Sequence, residues 1–193
     1  MIVPPTVAVT RSMREDLLGQ RAHSFWLTGL SGSGKSTLAN LLDNRLFEQG
    51  FKTFLLDGDA VRGGLNRDLG FNHKDRTENI RRVAEVNRIM LDAGLIVINA
   101  FISPYRADRA MVRGLVGADS FSEIYIKAEL SVCERRDVKG MYAKARTGEL
   151  KEFTGISAPY EEPLEPELIV ATDHQTIEQC LELFWEYALT RIR

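Results

Sequence analysis

Gly29-Leu30-Ser31-Gly32-Ser33-Gly34-Lys35-Ser36, with Thr37 behind it, fits the pattern G-x-x-x-x-G-K-[ST]. In that pattern loop amides cradle the phosphates of a nucleotide, the lysine reaches the β and γ oxygens, and the hydroxyl holds Mg²⁺. The flanks agree with this. Ser24–Thr28 reads as a short buried strand, and from Lys35 onward Leu38, Leu41, Leu42 and Leu46 recur at helical spacing. The start of that helix adds partial positive charge where phosphates would lie. Residues 29–37 are therefore expected to bind ATP or GTP, with Ser36 on the metal.

Outward from the loop, Gly50 supplies a helix stop and Thr53-Phe54-Leu55-Leu56 reads as a second buried strand running into Asp57-Gly58-Asp59-Ala60-Val61-Arg62. The carboxyl end of a strand is where an open parallel sheet places its ligands. Asp57 and Asp59 can both approach one Mg²⁺-phosphate centre, and Arg62 offers a planar fork to an anion. The plainer alternative is a strand-end turn carrying solvated charges. Residues 63–74 read as a loop. A helix then opens with Asp75 or Thr77 as cap, shows an apolar face of Ile80, Val83, Ala84, Val86 and Met90, and ends at Gly94. Arg76 and Asn79, three apart, share one face near its positive end and can grip a second anion. Arg81, Arg82, Glu85 and Arg88 read as a surface laced with ion pairs. Asn72-His73-Lys74-Asp75 has the wrong order for the guanine-reading N-K-x-D, which favours ATP over GTP.

The near-continuous apolar run of residues 95–101 marks a central parallel strand covered on both faces. It delivers Ile102-Ser103-Pro104-Tyr105-Arg106 to the same sheet edge. Ser103 can bond a phosphate or accept a phosphoryl group; from position alone it reads as the cap of a helix over 105–115. A fourth strand covers 121–126 and a short helix 130–137. The basic, glycine-punctuated stretch 139–151, closing with Phe153-Thr154-Gly155, suits a lid over transferring phosphates, or else a solvated helix and loop. Leu168–Ala171 is a fifth strand, and a last helix over 176–191 turns Ile177, Cys180, Leu181 and Phe184 inward. Strands alternating with helices predict a three-layer α/β/α domain with a mainly parallel sheet. Residues 1–21 read as an extension, with a short helix near Arg11–Leu18, that either packs on a partner subunit or trails. Residues 22–193 are expected to form one P-loop kinase domain whose lid lies at about 138–155.

With 25 basic against 27 acidic residues the net charge is −2, so no global field draws the chain to nucleic acid or to anionic membrane. No stretch reaches the roughly 20 apolar residues of a membrane span. Cys133 and Cys180 stand far apart with no C-x-x-C and no metal spacing, which suits a reducing cytoplasm. His23, His73 and His174 show no spacing of a metal cage or a nucleophilic triad.

Several motifs in one order carry a resemblance. The phosphate loop, Asp57-Gly58-Asp59-x-Val61-Arg62, Gly64-Leu65-Asn66-x-Asp68-Leu69-Gly70-Phe71, Asp75-Arg76-x-Glu78-Asn79-Ile80-Arg81-Arg82, Ile102-Ser103-Pro104-Tyr105-Arg106, Arg136-Asp137-x-Lys139-Gly140 and Phe153-Thr154-Gly155-Ile156 together resemble the adenylyl-sulfate kinase family. The match runs from about Ser24 to Glu167. It implies transfer of the ATP γ-phosphoryl group to the 3′-hydroxyl of adenosine 5′-phosphosulfate (APS), with Mg²⁺ on Ser36 and Asp57. Carried over position by position, Asp59, Arg62, Phe71, Arg76, Asn79, Ile102, Ser103, Lys139 and Phe153 meet APS. Lys35, Asp59 and Ser103 are implied as the catalytic set, Ser103 as a phosphoserine or only as a substrate-positioning group. The resemblance also implies a homodimer and a place in sulfate assimilation, and leaves open docking with an ATP sulfurylase.

Two other classes stay in view. One is a kinase of the same fold with a sugar or nucleoside acceptor, against which the arginines and the paired phenylalanines argue. The other is a nucleotide-responsive binding module, disfavoured by intact Lys35, Ser36, Asp57 and Asp59.

Overall fold

A computed structural model of the chain describes residues 8–137 and 139–193. The first seven residues of the extension and Val138 of the expected lid fall outside that description. The elements run α1 (Arg11–Leu18), β1 (Ser24–Thr28), α2 (Lys35–Glu48), β2 (Thr53–Asp57), α3 (Gly58–Gly63), α4 (His73–Asp92), β3 (Ile96–Ala100), α5 (Arg106–Val116), β4 (Phe121–Lys127), α6 (Leu130–Arg135), α7 (Met141–Arg146), β5 (Leu168–Ala171) and α8 (Ile177–Ile192). Among the described residues no helix is long and apolar enough to cross a membrane.

The five strands pair in the order β2-β3-β1-β4-β5, and every pairing is parallel. Alternation along the strands splits the core into two layers. Phe25 and Leu27 of β1 face one side, where they meet Leu38 and Leu42 of α2 and Phe184 of α8. Trp26 faces the other, with Val83 of α4, Val112 of α5 and Phe121. These β1 side chains are fully buried, each contributing about 2 kcal/mol through removal of apolar surface from water. The connection after β1 runs to the β2 edge and that after β3 to the β4 side, so a crevice opens between the carboxyl ends of β1 and β3. The phosphate loop follows one strand and residues 101–104 follow the other.

Four local readings change. The second strand, expected to be buried, is an edge of the sheet with Phe54 47% exposed. The long helix α4 starts at His73, not Asp75, because Asn72 Oδ1 accepts from Asp75 N at 2.9 Å and caps it. The acidic turn after β2 is a short helix, α3, capped by Asp57 itself. Ile177 opens α8 with 44% of its surface exposed instead of facing the core; the cap is a Thr176/Gln179 capping box. Of the extension, α1 is capped by Thr10 and stopped by Gly19 at φ 65°. Gln20 then fastens it to the domain, donating to Lys52 O and Gly94 O and accepting from Lys52 N.

Candidate active site

The loop of residues 29–34 is shaped by what its glycines must avoid. A Cβ on Gly29 would overlap Ile126 O, and one on Gly32, at φ 73°, would sit 2.9 Å from Cys133 O. Gly34 precedes α2 and has no side chain to cap it, so the first amides of α2 stay open towards the crevice. Two side chains hold the loop from outside: Tyr142 Oη donates to Ser31 O at 2.9 Å, and Thr172 Oγ1 donates to Ser33 O at 2.7 Å. Lys35 is buried, and its Nζ donates to Gly29 O (3.0 Å) and Leu30 O (2.8 Å). Burial pushes its pKa down to about 8, with Cys133, Asp57 and Asp59 pulling the other way.

Ser36 Oγ donates to Asp57 Oδ2 at 2.7 Å, while Asp57 Oδ1 accepts from Asp59 N at 2.9 Å. One carboxylate thus caps α3 and faces the α2 hydroxyl. Among the described residues no group of three His, Cys, Asp or Glu side chains could hold a metal. A hydroxyl and a carboxylate at the phosphate loop are instead hard oxygen donors that suit Mg²⁺ arriving with a nucleotide and keeping its other oxygens from phosphate and water.

A single cavity of about 760 Å³ runs along the crevice. Ser31, Gly32, Gly34, Lys35, Ser36 and Thr37 line it, whereas Gly29, Leu30 and Ser33 lie behind the loop. Leu30 packs instead with Leu130 and Ile156 beneath the lid. All nine residues expected at the acceptor end line the same cavity: Asp59, Arg62, Phe71, Arg76, Asn79, Ile102, Ser103, Lys139 and Phe153.

Local contacts explain their placement. The Arg62 guanidinium lies 4.3 Å over the Phe71 ring and donates to Gly70 O at 3.0 Å. Arg76 donates to Phe71 O (2.6 Å) and to Glu152 O (2.7 Å), joining the start of α4 to the end of the lid. Phe71 is half exposed, whereas Phe153 is buried edge-on against Tyr142 with centroids 4.9 Å apart. Lys139 forms an ion pair with Asp59 across the cavity, and both side chains are mostly exposed. The stretch expected to form a lid is more than a solvated loop. Tyr142, Ala145 and Phe153 build a small core around Cys133 and Ala128, and Asp137 caps α7 by accepting from the amides of Met141, Tyr142 and Ala143.

Ser103 is not a helix cap. The helix begins at Arg106 behind Tyr105 with no side-chain cap. Ser103 stands at φ 38°, 2% exposed, with Oγ accepting from Trp26 Nε1 at 3.0 Å.

Sequence reasoning overlooked the end of the cavity beyond the phosphate loop, lined by Arg136, Thr172, Gln175, Ile177 and Cys180. Arg136 NH2 donates to Thr172 O at 2.7 Å, bringing α6 to the residue that follows β5. The signal was present: Thr172 leaves the carboxyl end of a parallel strand, and Arg136 lies in the Arg136-Asp137-x-Lys139-Gly140 motif.

A parallel sheet of this order, a lysine-bearing phosphate loop and a pole carrying Arg62, Arg76 and Asn79 in one crevice define a P-loop phosphotransferase. The chain belongs to the adenylylsulphate kinase family, whose family model matches residues 21–171. It is 54% identical over 181 residues to the adenylyl-sulfate kinase of Prochlorococcus marinus, spanning 94% of this chain and 90% of that protein. With the probable adenylyl-sulfate kinase of Halalkalibacterium halodurans it shares 50% over 186 residues, 96% of this chain and 92% of the other. Among solved structures it resembles the Mycobacterium tuberculosis APS kinase CysC in complex with AMPPNP and APS. That match has a TM-score of 0.80 and 46% identity, covering 85% of this chain and 96% of that one. Likeness to a gluconokinase from Sinorhizobium meliloti, at 18% identity and a TM-score of 0.56, reflects the fold alone.

Proposed function

We propose that the chain transfers the γ-phosphoryl group of ATP to the 3′-hydroxyl of adenosine 5′-phosphosulfate, giving 3′-phosphoadenylyl sulfate. The observation that carries this is the single cavity joining the phosphate loop to Arg62, Phe71, Arg76, Asn79 and Phe153. The two poles have different chemistry. One supplies open amides and Lys35 to a polyphosphate; the other supplies two guanidiniums, an amide and two aromatic rings, a set matched to a phosphosulfate attached to a purine and poorly matched to a neutral sugar.

In this reading ATP phosphates lie on residues 29–37, and the lysine takes its share of the charge that spreads over the transferred group. Ser36 and Asp57 hold Mg²⁺, which when bound neutralises phosphate charge. Asp59 accepts the proton of the 3′-hydroxyl, that oxygen bonds the γ-phosphorus, and the bond from the γ-phosphorus to its bridging oxygen breaks to release ADP. Lys139 leaves Asp59 for the APS anion, which frees the carboxylate when the acceptor is in place. Phe71 and Phe153 cover the adenine of APS, while Ile102 and Ser103 form the lip below it. Arg136, Thr172, Gln175 and Ile177 surround the base of ATP. The lid excludes water, so that the γ-phosphoryl group meets only the acceptor.

The reading includes a homodimer, for which α1 offers Met13 and Leu17, 54% and 85% exposed. It also includes a reducing cytoplasm, in line with buried, free Cys133 and Cys180.

The test is ADP release from Mg·ATP with APS or plain AMP as acceptor, beside Lys35→Ala. Release that requires APS and disappears in the variant supports the reading. APS bound but not turned over would favour a binding module, and no APS binding would point to another acceptor.

A further inference from the structure

Asn66 lies in the loop between α3 and α4, fully buried, its own N–H donating to Val61 O at 2.9 Å. Its side-chain nitrogen faces two oxygens of one residue: Nδ2 is 3.0 Å from Asn79 Oδ1 and 3.4 Å from Asn79 O. The backbone oxygen can only accept, so Asn66 must present its NH₂ there; turning the amide over would set Oδ1 against a carbonyl. Asn66 Oδ1 accordingly has no partner among the described residues. The same requirement passes to Asn79. With an NH₂ facing it, Asn79 turns Oδ1 towards Asn66 and its own NH₂ the other way. Asn79 lines the same cavity as Arg76 and Phe71, and its Nδ2 makes no bond to protein among the described residues.

We propose that Asn66 is a positioning residue which fixes the amide of Asn79 with its donor towards the acceptor pole, so that Asn79 joins Arg62 and Arg76 in offering N–H to an anion there. Resting on the APS reading above, Arg62, Arg76 and Asn79 all present N–H to an oxyanion. Without Asn66 the Asn79 amide is free to turn, and its carbonyl oxygen would then face the anion. The inward Oδ1 has then lost its donor while an outward carbonyl is hydrated, so the turned form prevails, and an amide rightly turned in about one molecule in ten binds its anion about tenfold more weakly. The loop carrying Asn66 thus acts on APS without touching it.

The test is a double-mutant cycle with Asn66→Ala and Asn79→Ala, read as KM for APS, KM for ATP and kcat, with thermal unfolding alongside. Asn66→Ala is expected to raise KM for APS about tenfold, with KM for ATP and kcat within about twofold, the size of one lost charge-assisted hydrogen bond. In the Asn79→Ala background the same change should add less than about twofold, because the group it orients is gone. Additive effects, or equal rises in both KM values, would overturn the proposal, as would an unchanged KM for APS in Asn79→Ala. Should the alanine variant fail to fold, Asn66→Ser carries the same cycle. Failure of the APS reading would show separately, as absent APS-dependent ADP release in the unmutated protein.

Discussion

Trp26 Nε1 donates to Ser103 Oγ at 3.0 Å under the floor of the crevice. The serine is held from two further sides. Arg109 NH1 donates to Ser103 O at 2.7 Å, and Thr28 Oγ1 donates to the neighbouring Ile102 O at 2.7 Å. Ser103 sits at φ 38°, a strained angle for a non-glycine residue, which its surroundings impose. A hydroxyl turned to the indole holds the lip of residues 102–104 in shape. Ser103→Ala is therefore expected to lose about 1–3 kcal/mol of stability by orphaning the Trp26 N–H, while kcat falls less than about tenfold. Unfolding curves, steady-state rates and intact mass after incubation with ATP check this. Abolished turnover in a folded variant would make the hydroxyl essential, and a phosphorylated Ser103 that hands its phosphoryl group to APS would establish covalent transfer instead.

Lys35 gives a pH dependence of known sign. Its pKa falls from 10.5 to about 8 because burial disfavours the ammonium. Bound phosphate favours the charged form, so above about pH 8 ATP binding must take up a proton and weakens by up to about tenfold per pH unit. The ATP dissociation constant should be flat below that point and rise beyond it. In the free protein the unfolded chain holds this proton up to 10.5, so this group makes stability rise with pH between about 8 and 10.5. Calorimetric titrations across the alkaline range read the first effect, and a flat profile would refute it.

The strands and the phosphate loop were legible because each rests on local pattern, whereas most of the acceptor end came from resemblance to a family. The run of residues 95–101 can only be a covered strand, and G-x-x-x-x-G-K-[ST] carries its own geometry. What escaped depends on contacts between distant residues. Nothing near Tyr142 says that its hydroxyl binds Ser31 O, 111 residues away. Trp26 and Ser103 are 77 apart, so the cap reading of Ser103 prevailed on sequence. Ile177 looked like core because it is apolar at a helical spacing, yet it opens α8 beside the cavity and lines it. Asp75 and Asn72 both suit a cap by residue type, and the sequence does not say that Asp75 Oδ2 is spent on Gly70 N at 2.8 Å.

His23 governs part of the acid limb of stability. Its Nε2 lies 2.7 Å from Ser122 Oγ and its ring packs on Phe25. Burial, with Arg191 and Arg11 adding to it, pushes the pKa from 6.5 down to about 3. The unfolded chain binds this proton first as pH falls, so the stabilisation is complete above 6.5 and is lost below it by up to about 1.4 kcal/mol per pH unit. His23→Gln should flatten denaturant midpoints between about pH 6.5 and 5, above the range where most carboxylates titrate. An unchanged slope would place the acid sensitivity elsewhere.

The Asp59 and Lys139 pair spans the cavity from the start of α3 to the root of the lid, and the two variants should fail differently. Asp59 raises the Lys139 pKa, chiefly by hydrogen bonding, so the lysine is charged throughout the working range. If Lys139 moves to the APS anion as the lid closes, Lys139→Ala costs affinity for APS more than for ATP. It also removes the group that competes for Asp59. Asp59→Asn keeps the size of the side chain but cannot take up the proton of the acceptor hydroxyl. Its kcat should fall about 10²- to 10⁴-fold, the usual worth of a general base, with ATP binding intact. Single-turnover rates beside equilibrium binding of both ligands separate the two roles. Near-normal turnover in Asp59→Asn would leave positioning and charge neutralisation as the whole of catalysis, and equal losses for ATP and APS in Lys139→Ala would make the lysine a general electrostatic clamp.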